Sequence, residues 1–195
     1  MTESKKIILA SSSPARRILM ERLMLPFSSV SPDIDETPQP GERPIDMVVR
    51  LAREKALVFV STYSDALIIG VDQVGVLEGE ILGKPLSHEN AVRQLLKMSG
   101  KTVSFFIGLC VIDSKNKMEE TALERFDVTF RALNENMIEN YLKKEPALQC
   151  AGSLQVEGLG IVLLEKLTGE DYTALIGLPL IRLSALLRKF NISLP

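Results

Sequence analysis

Six consecutive residues without a polar side chain, Ala66-Leu67-Ile68-Ile69-Gly70-Val71, stand immediately before Asp72-Gln73. An unbroken apolar run of this length, with no polar alternation, describes a central strand buried on both faces. Strands of that kind need helices packed over the sheet, which constrains the chain to an α/β arrangement. Lys6-Ile7-Ile8-Leu9-Ala10 supplies a second buried strand, and it leads into Ser11-Ser12-Ser13-Pro14-Ala15-Arg16-Arg17. There Ser13 is placed to cap a helix, Pro14 suits its first position, and Ile18, Leu19 and Leu23 continue an apolar helical face.

Further along, Pro26 to Ser31 reads as a short strand, and Pro32 to Gly41 as a proline-rich acidic loop carrying Asp33, Asp35 and Glu36. Pro44 opens a long helix expected to reach about Tyr63, with Ile45, Val48, Val49, Ala52 and Ala56 on its apolar side. Val74 to Leu77 and Glu80 to Leu82 flank a Glu78-Gly79 hairpin turn, and Ser87 caps a helix that ends near Met98 and is closed by Gly100. Thr102 to Ser114 and Glu120 to Ala132 alternate as two longer strands about a turn at Lys115-Asn116. Asn134 caps a short helix before Pro146, Gly152 to Glu165 is expected to form a glycine-rich strand pair, and Pro179 opens a final helix. The interleaving, with hairpins in its middle, predicts a mixed twisted sheet flanked by helices rather than a regular doubly wound parallel sheet.

At 195 residues the chain can bury a sizeable core, as one domain or as two lobes sharing a sheet. Net charge is −2 and no Lys/Arg block exceeds two residues, which speaks against a binder of nucleic-acid polymers but not against a small phosphorylated ligand. Cys110 and Cys150 make neither a disulfide framework nor a metal cluster, and are expected to be small buried hydrophobes. The polar amino terminus and the lack of a membrane-spanning run point to a cytoplasmic protein with no membrane partner.

The serines and arginines at the first strand–helix junction suit an anion, because a helix start offers unpaired N–H groups and partial positive charge. A capped surface helix with two solvated arginines has the same sequence pattern. Asp72, just past a strand's carboxyl end, could hold a divalent cation or orient a water, or could simply end the strand. Lys84, in the stiff Gly83-Lys84-Pro85 loop, is suited to phosphate, although surface turns look alike. Lys55 lies close to the apolar stripe of its helix, so it either snorkels or pairs with an anion. Asp35-Glu36 suits a hard cation, or is a solvated loop. A single histidine, His88, in a helix's first turn, with no Gly-x-Ser-x-Gly, speaks against a serine-hydrolase triad; no Walker-type phosphate loop is present. Taken together these groups sum to a polyphosphate site.

The residues that carry this chemistry also resemble a known family over essentially the whole chain: the Maf family of nucleoside triphosphate pyrophosphatases. The matching blocks are Leu9-Ala10-Ser11-Ser12-Ser13-Pro14 with Arg16-Arg17, Asp35-Glu36-Thr37, Leu51-Ala52 through Lys55-Ala56, and Gly70-Val71-Asp72-Gln73. Gly83-Lys84-Pro85, Met98-Ser99-Gly100, Ala151-Gly152-Ser153 with Glu157-Gly158, and Gly177-Leu178-Pro179-Leu180 complete them. The resemblance implies one elongated Maf/ITPase-like α/β domain over residues 1–195, two-lobed around a cleft, and usually a homodimer. It also implies hydrolysis between the α- and β-phosphates to a nucleoside monophosphate and pyrophosphate, dependent on a divalent metal (Mg²⁺, Mn²⁺ or Co²⁺). By motif, Asp72 would be the catalytic acid/base, Ser11, Ser13, Arg16, Lys55 and Lys84 would hold the phosphates, and Glu36 would assist the metal beside Asp72.

Base choice in the family falls to three positions, here Ala15, Gln73 and Glu157. Gln73 and Glu157 resemble the 7-methyl-GTP branch, and a carboxylate can accept both donors on guanine's pairing edge. Ala15 departs from the large aromatic common there, which could otherwise stack on a cationic base. Val103 stands where many relatives carry a histidine, and Ile107 where many carry a threonine. Alternatives are a dTTP/UTP-type or broad nucleotide pyrophosphatase, and a nucleotide-sensing regulator of cell division.

Overall fold

A computed structural model describes residues 5–194. The elements are β1 (Lys6–Ala10), α1 (Pro14–Glu21), β2 (Phe27–Val30), α2 (Pro44–Leu57), β3 (Ala66–Leu77), β4 (Glu80–Leu82), α3 (His88–Met98), β5 (Thr102–Asp113) and β6 (Glu119–Phe130). After these come α4 (Glu135–Lys144), two short 3₁₀ turns (Ala151–Ser153 and Leu159–Leu163), β7 (Leu164–Thr168), α5 (Tyr172–Ile176) and α6 (Leu180–Lys189). The strands form a seven-stranded sheet in the order β2-β1-β3-β5-β6-β7, with β4 paired to β3. β1 runs parallel to both β2 and β3, whereas β4 on β3 and β7 on β6 are antiparallel. The mixed α/β sheet with flanking helices is therefore the one expected.

Two compact units divide the chain. One holds the residues up to Gln73, Ile107–Glu124 and those from Gly177 onward; the other holds Val74–Phe106 and Arg125–Ile176. β3, β5 and β6 each contribute residues to both.

In the first unit the parallel pairing sets Ile8 opposite Ile68 and Ala10 opposite Gly70. Ile8, Ala10, Ala66 and Ile68 join Cys110 and Ile112 of β5 and Ala52, Ala56 and Phe59 from the α2 region in one buried cluster. α2 comes unusually close to the sheet. A Cβ on Gly70 would lie 1.9 Å from the Ala52 carbonyl oxygen, and one on Gly108 would lie 2.1 Å from that of Val48. Small residues on both surfaces thus let backbone approach backbone, and this fixes the height and rotation of α2.

The helix stops earlier than its pattern suggests. Its last residue is Leu57, and the expected extension to Tyr63 is instead a series of turns. The N–H groups of Phe59, Val60 and Thr62 bond three residues back, to Ala56, Leu57 and Phe59. Val58, Val60 and Thr62, β-branched and alternating with Phe59 and Ser61, make a poor helix former, and the tighter turns bury Phe59.

β3 is one continuous strand to Leu77 rather than two segments broken at Asp72. Gly152–Glu165 is not a strand pair: only Leu164 and Glu165 belong to a strand, and the rest is 3₁₀ turns and loop. Gly152 and Ser153 have φ of 65° and 56°, which no strand accommodates, and the Gly158 and Gly160 N–H groups both return to the Gln155 carbonyl. The helix caps at Ser13, Ser87 and Asn134 form as expected, each side chain accepting from the backbone N–H three residues on.

Candidate active site

In the first unit, the close packing of α2 on β3 brings a lysine to an aspartate. Ala52 and Ala56 rest on Gly70, so Lys55 of the same helical stretch emerges beside Asp72, two residues further along the strand. Lys55 Nζ donates to Asp72 Oδ1 at 2.6 Å, and both residues are buried. The same nitrogen lies 2.7 Å from Glu36 Oε1 in the acidic loop. Of the two possibilities the sequence left for Lys55, the structure selects pairing.

Arg16 lies in the first turn of α1. Its Nε donates to the Gly177 carbonyl at 3.1 Å and its Nη1 to the Val71 carbonyl at 3.2 Å. Two of its five donors are thereby anchored to main chain, which aims the guanidinium while leaving N–H groups for an anion. Gly177 is required at this point: its φ is 123°, and a Cβ there would come within 3.3 Å of both Arg16 Nε and Gln73 Oε1. Gly177 was visible in the sequence only as part of a matching block, with no signal of this duty.

Electrostatics follow from the packing. Burial pushes the Asp72 carboxyl above the ordinary aspartate range; Lys55 and then Arg16 pull it down, and Glu36 adds a smaller push upward. Burial likewise lowers the Arg16 pKa, against the opposing pull of Asp72 and Glu36, yet a guanidinium begins so high that it keeps its charge. A buried carboxylate above its usual range, next to cations, holds a proton more firmly than an exposed aspartate, as a base must.

Ser11 and Ser13 both sit at the α1 start. Ser13 Oγ accepts from the Arg16 N–H at 3.4 Å, and Ser11 Oγ accepts from the Ser13 N–H at 3.2 Å. Ser29 Oγ donates to the Ser11 carbonyl at 3.0 Å, tying this junction to β2. Ala15 is half-buried in the first turn of α1.

The acidic pair divides. Asp35 turns back to accept from the Thr37 N–H at 2.9 Å, while Glu36 faces Lys55. What holds this loop has no local pattern in the sequence. Arg50 of α2 grips Glu42 through Nε at 2.6 Å and Nη2 at 2.7 Å, and also donates from Nη2 to the Thr37 carbonyl at 3.3 Å. The Arg50–Glu54 contact, at 3.1 Å, was legible as an i,i+4 spacing; the Glu42 clamp was not.

A metal would find a fitting donor set at Asp72 and Glu36. Two carboxylate oxygens converge on one cationic nitrogen, so the geometry already suits positive charge with oxygen ligands. Magnesium-like ions typically take one or two protein carboxylates and complete their shell with water and substrate phosphate. Among the described residues no group of three or more His, Cys, Asp or Glu forms a self-sufficient metal cage.

Lys84 and Glu157 belong to the second unit. Lys84 is exposed on the Gly83–Leu86 loop, and Glu157 is exposed in the turn between the two 3₁₀ segments. The Glu145 carboxylate fills the place a side chain at 158 would take, 2.0 Å from an ideal Cβ there, and accepts from the Gly160 N–H at 3.1 Å. Burial raises the Cys150 thiol, with Glu157 and Glu145 adding to the rise and Lys84 opposing it, so these groups share one neighbourhood. Cys110 is buried, its thiol pushed up to about 12, while Cys150 is only half-buried. His88 pairs with Glu139 at 3.0 Å on an exposed surface. No helix among the described residues is long and apolar enough to cross a membrane.

The chain is 52% identical over 183 residues to a protein of Nitrosococcus oceani named 7-methyl-GTP pyrophosphatase, covering 94% of this chain and 92% of that one. Among solved structures, the Staphylococcus aureus Ham1 protein aligns with TM-score 0.46 and 15% identity over 65% of this chain and 72% of its own. Protein VC0702 of Vibrio cholerae aligns with TM-score 0.41 and 11% identity over 74% and 81%. The family model for Maf-like proteins matches residues 6–190, the span that contains every group described above, and the chain belongs to that family.

Proposed function

We propose that this protein hydrolyses the α–β phosphoanhydride of nucleoside triphosphates, releasing a nucleoside monophosphate and pyrophosphate, with 7-methyl-GTP or a related modified guanine nucleotide as substrate. The observation that carries the reading is the buried Lys55–Asp72 pair at 2.6 Å with Glu36 on the same nitrogen and the anchored Arg16 guanidinium beside Asp72. The name of the Nitrosococcus oceani relative and its 52% identity support the substrate class.

A triphosphate carries roughly four negative charges at neutral pH, and attack on phosphorus requires that charge to be countered. Arg16, Lys55 and Lys84 supply cations, while the α1 start, with Ser11 and Ser13, supplies hydroxyl and N–H donors. Asp72, as carboxylate, takes the proton of the attacking water; its raised pKa makes it a stronger base than an ordinary aspartate. A divalent cation held by Asp72 and Glu36 would neutralise phosphate charge and lower the pKa of bound water. Glu157 would accept the paired donors of guanine's N1–H and exocyclic amine, with Gln73 as a further position that sets base choice. Ala15 offers no ring to stack on the base, so related nucleotides should also be turned over, at lower efficiency. In the same reading the enzyme works as a homodimer in the cytoplasm, as members of the family usually do.

The test is a panel of nucleoside triphosphates with Mg²⁺, Mn²⁺ or Co²⁺, with the inorganic product identified. Pyrophosphate release, fastest with 7-methyl-GTP and lost in Asp72→Asn with nucleotide binding intact, is the expected result. Orthophosphate as product, or no turnover of any nucleotide, overturns the reading; the latter leaves a nucleotide-sensing protein.

A further inference from the structure

The Ala151-Gly152-Ser153 block has no part in the reaction as described, yet it contains a buried serine with a left-handed backbone. Ser153 is fully buried and holds a φ of 56°, a left-handed conformation that costs a non-glycine residue free energy. Its hydroxyl donates to Gln94 Oε1 at 2.8 Å, and Gln94 Nε2 donates to the Gly83 carbonyl at 3.0 Å. The amide orientation is dictated by chemistry. A carbonyl only accepts, so the NH₂ must face Gly83, the Oε1 must face Ser153, and the serine must donate. Gly83's carbonyl also accepts from the Gly152 N–H at 3.3 Å.

The Gly83 carbonyl lies in the rigid peptide plane that carries the Lys84 nitrogen. On the other side of Lys84 stands Pro85, which fixes its own φ and restricts Lys84 to extended backbone. Pro85's carbonyl accepts from Asn90 Nδ2 at 2.9 Å, and the next residue, Leu86, donates its N–H to the Leu148 carbonyl at 3.1 Å. Lys84 is therefore suspended between two immobilised peptide planes, one set by proline and the other by Gln94 and Gly152. Tyr141 secures the far end, its hydroxyl donating to the Ser153 carbonyl at 3.2 Å and accepting from the Gln155 N–H at 3.1 Å.

We infer that Gln94 and Ser153 are positioning residues for Lys84: through the Gly83 carbonyl they hold its backbone so that the lysine meets the substrate phosphates preoriented. The inference rests on the proposed role of Lys84, and its test separates the two. In Gln94→Met the amide is replaced by a side chain of similar length that cannot bond Gly83. Pyrophosphate release from 7-methyl-GTP is expected to fall about tenfold to a hundredfold in kcat/KM, a loss typical of displaced binding groups. The double variant Lys84→Met/Gln94→Met should be no slower than Lys84→Met alone to within about twofold, because both remove one interaction. Losses that multiply overturn the inference.

Ser153→Gly relaxes the strained φ while deleting the hydroxyl, so it should keep or raise the thermal midpoint and still lose activity; activity at or above wild type refutes the positioning role. A readout independent of catalysis is the Lys84 amide order parameter by NMR relaxation, expected to drop from about 0.85 toward 0.6 in Gln94→Met while β5 amides hold their values. An unchanged Lys84 amide overturns the inference even if the wild-type chain turns over nothing. Loss of activity in Gln94→Met with no effect of Lys84→Met overturns the Lys84 reading and the inference together.

Discussion

The charged centre of the first unit and the Ala151–Leu163 segment of the second are held by opposite means. Around Asp72 regular elements do the placing: α2 rests on Gly70 and Gly108 with no intervening side chain, so Lys55 arrives at Asp72 by the geometry of helix and strand. Around Ser153 the turn has no strand or long helix of its own; Tyr141 and Glu145 bond directly to its backbone groups, and Gln94 accepts from the Ser153 hydroxyl. Precision in the first region comes from close packing. In the second it comes from hydrogen bonds that each answer one otherwise unpaired group.

The contrast predicts where each region breaks. Asp72→Asn should cost the most, roughly 10²- to 10⁴-fold in kcat, the range expected for loss of a general base, read as pyrophosphate release at saturating nucleotide. The wild-type pH profile should corroborate it. Because burial raises the Asp72 pKa, its ionised fraction, and with it kcat/KM, should rise with pH through a midpoint above 3.8 and then level; a midpoint at or below 3.8 would contradict the buried-base reading.

Next comes the packing itself. Gly70→Ala forces a Cβ onto the Ala52 carbonyl and should destabilise the fold by about 3 kcal/mol, the upper part of the overpacking range, with activity falling as α2 and Lys55 shift. A chemical-denaturation midpoint equal to wild type would refute the backbone contact. In the second region Tyr141→Phe strands the Ser153 carbonyl and the Gln155 N–H, and about 1–3 kcal/mol should be lost. Smallest of all, His88→Ala removes an exposed pair with Glu139 and should change stability by no more than about 0.5 kcal/mol, since such surface pairs contribute little.

The same contrast explains what could be read from the amino-acid sequence. The buried strands at Lys6–Ala10 and Ala66–Val71, the capped helices after Ser13, Ser87 and Asn134, and the mixed sheet all carry periodic or capping signals, and they form as expected. Lys55's pairing was legible as one of two outcomes, because a lysine bordering an apolar stripe needs an answer for its charge. Residues 152–163 carry no such signal. Their glycines looked like a strand pair because apolar residues lie between them, but the left-handed φ of Gly152 and Ser153 is imposed by partners far away in sequence. Arg50's grip on Glu42 and the Arg16–Gly177 contact escaped for the same reason: eight and 161 residues separate the partners, and no local pattern encodes either.

Arg16's hold on Val71 and Gly177 reaches carbonyl oxygens, which every amino acid possesses, so the identity of the acceptor is immune to substitution. The space beside it is not. Randomising both positions together should return an assortment of buried aliphatics at 71 and glycine alone at 177, so the fixed letter marks room kept vacant for a guanidinium rather than any chemistry of its own.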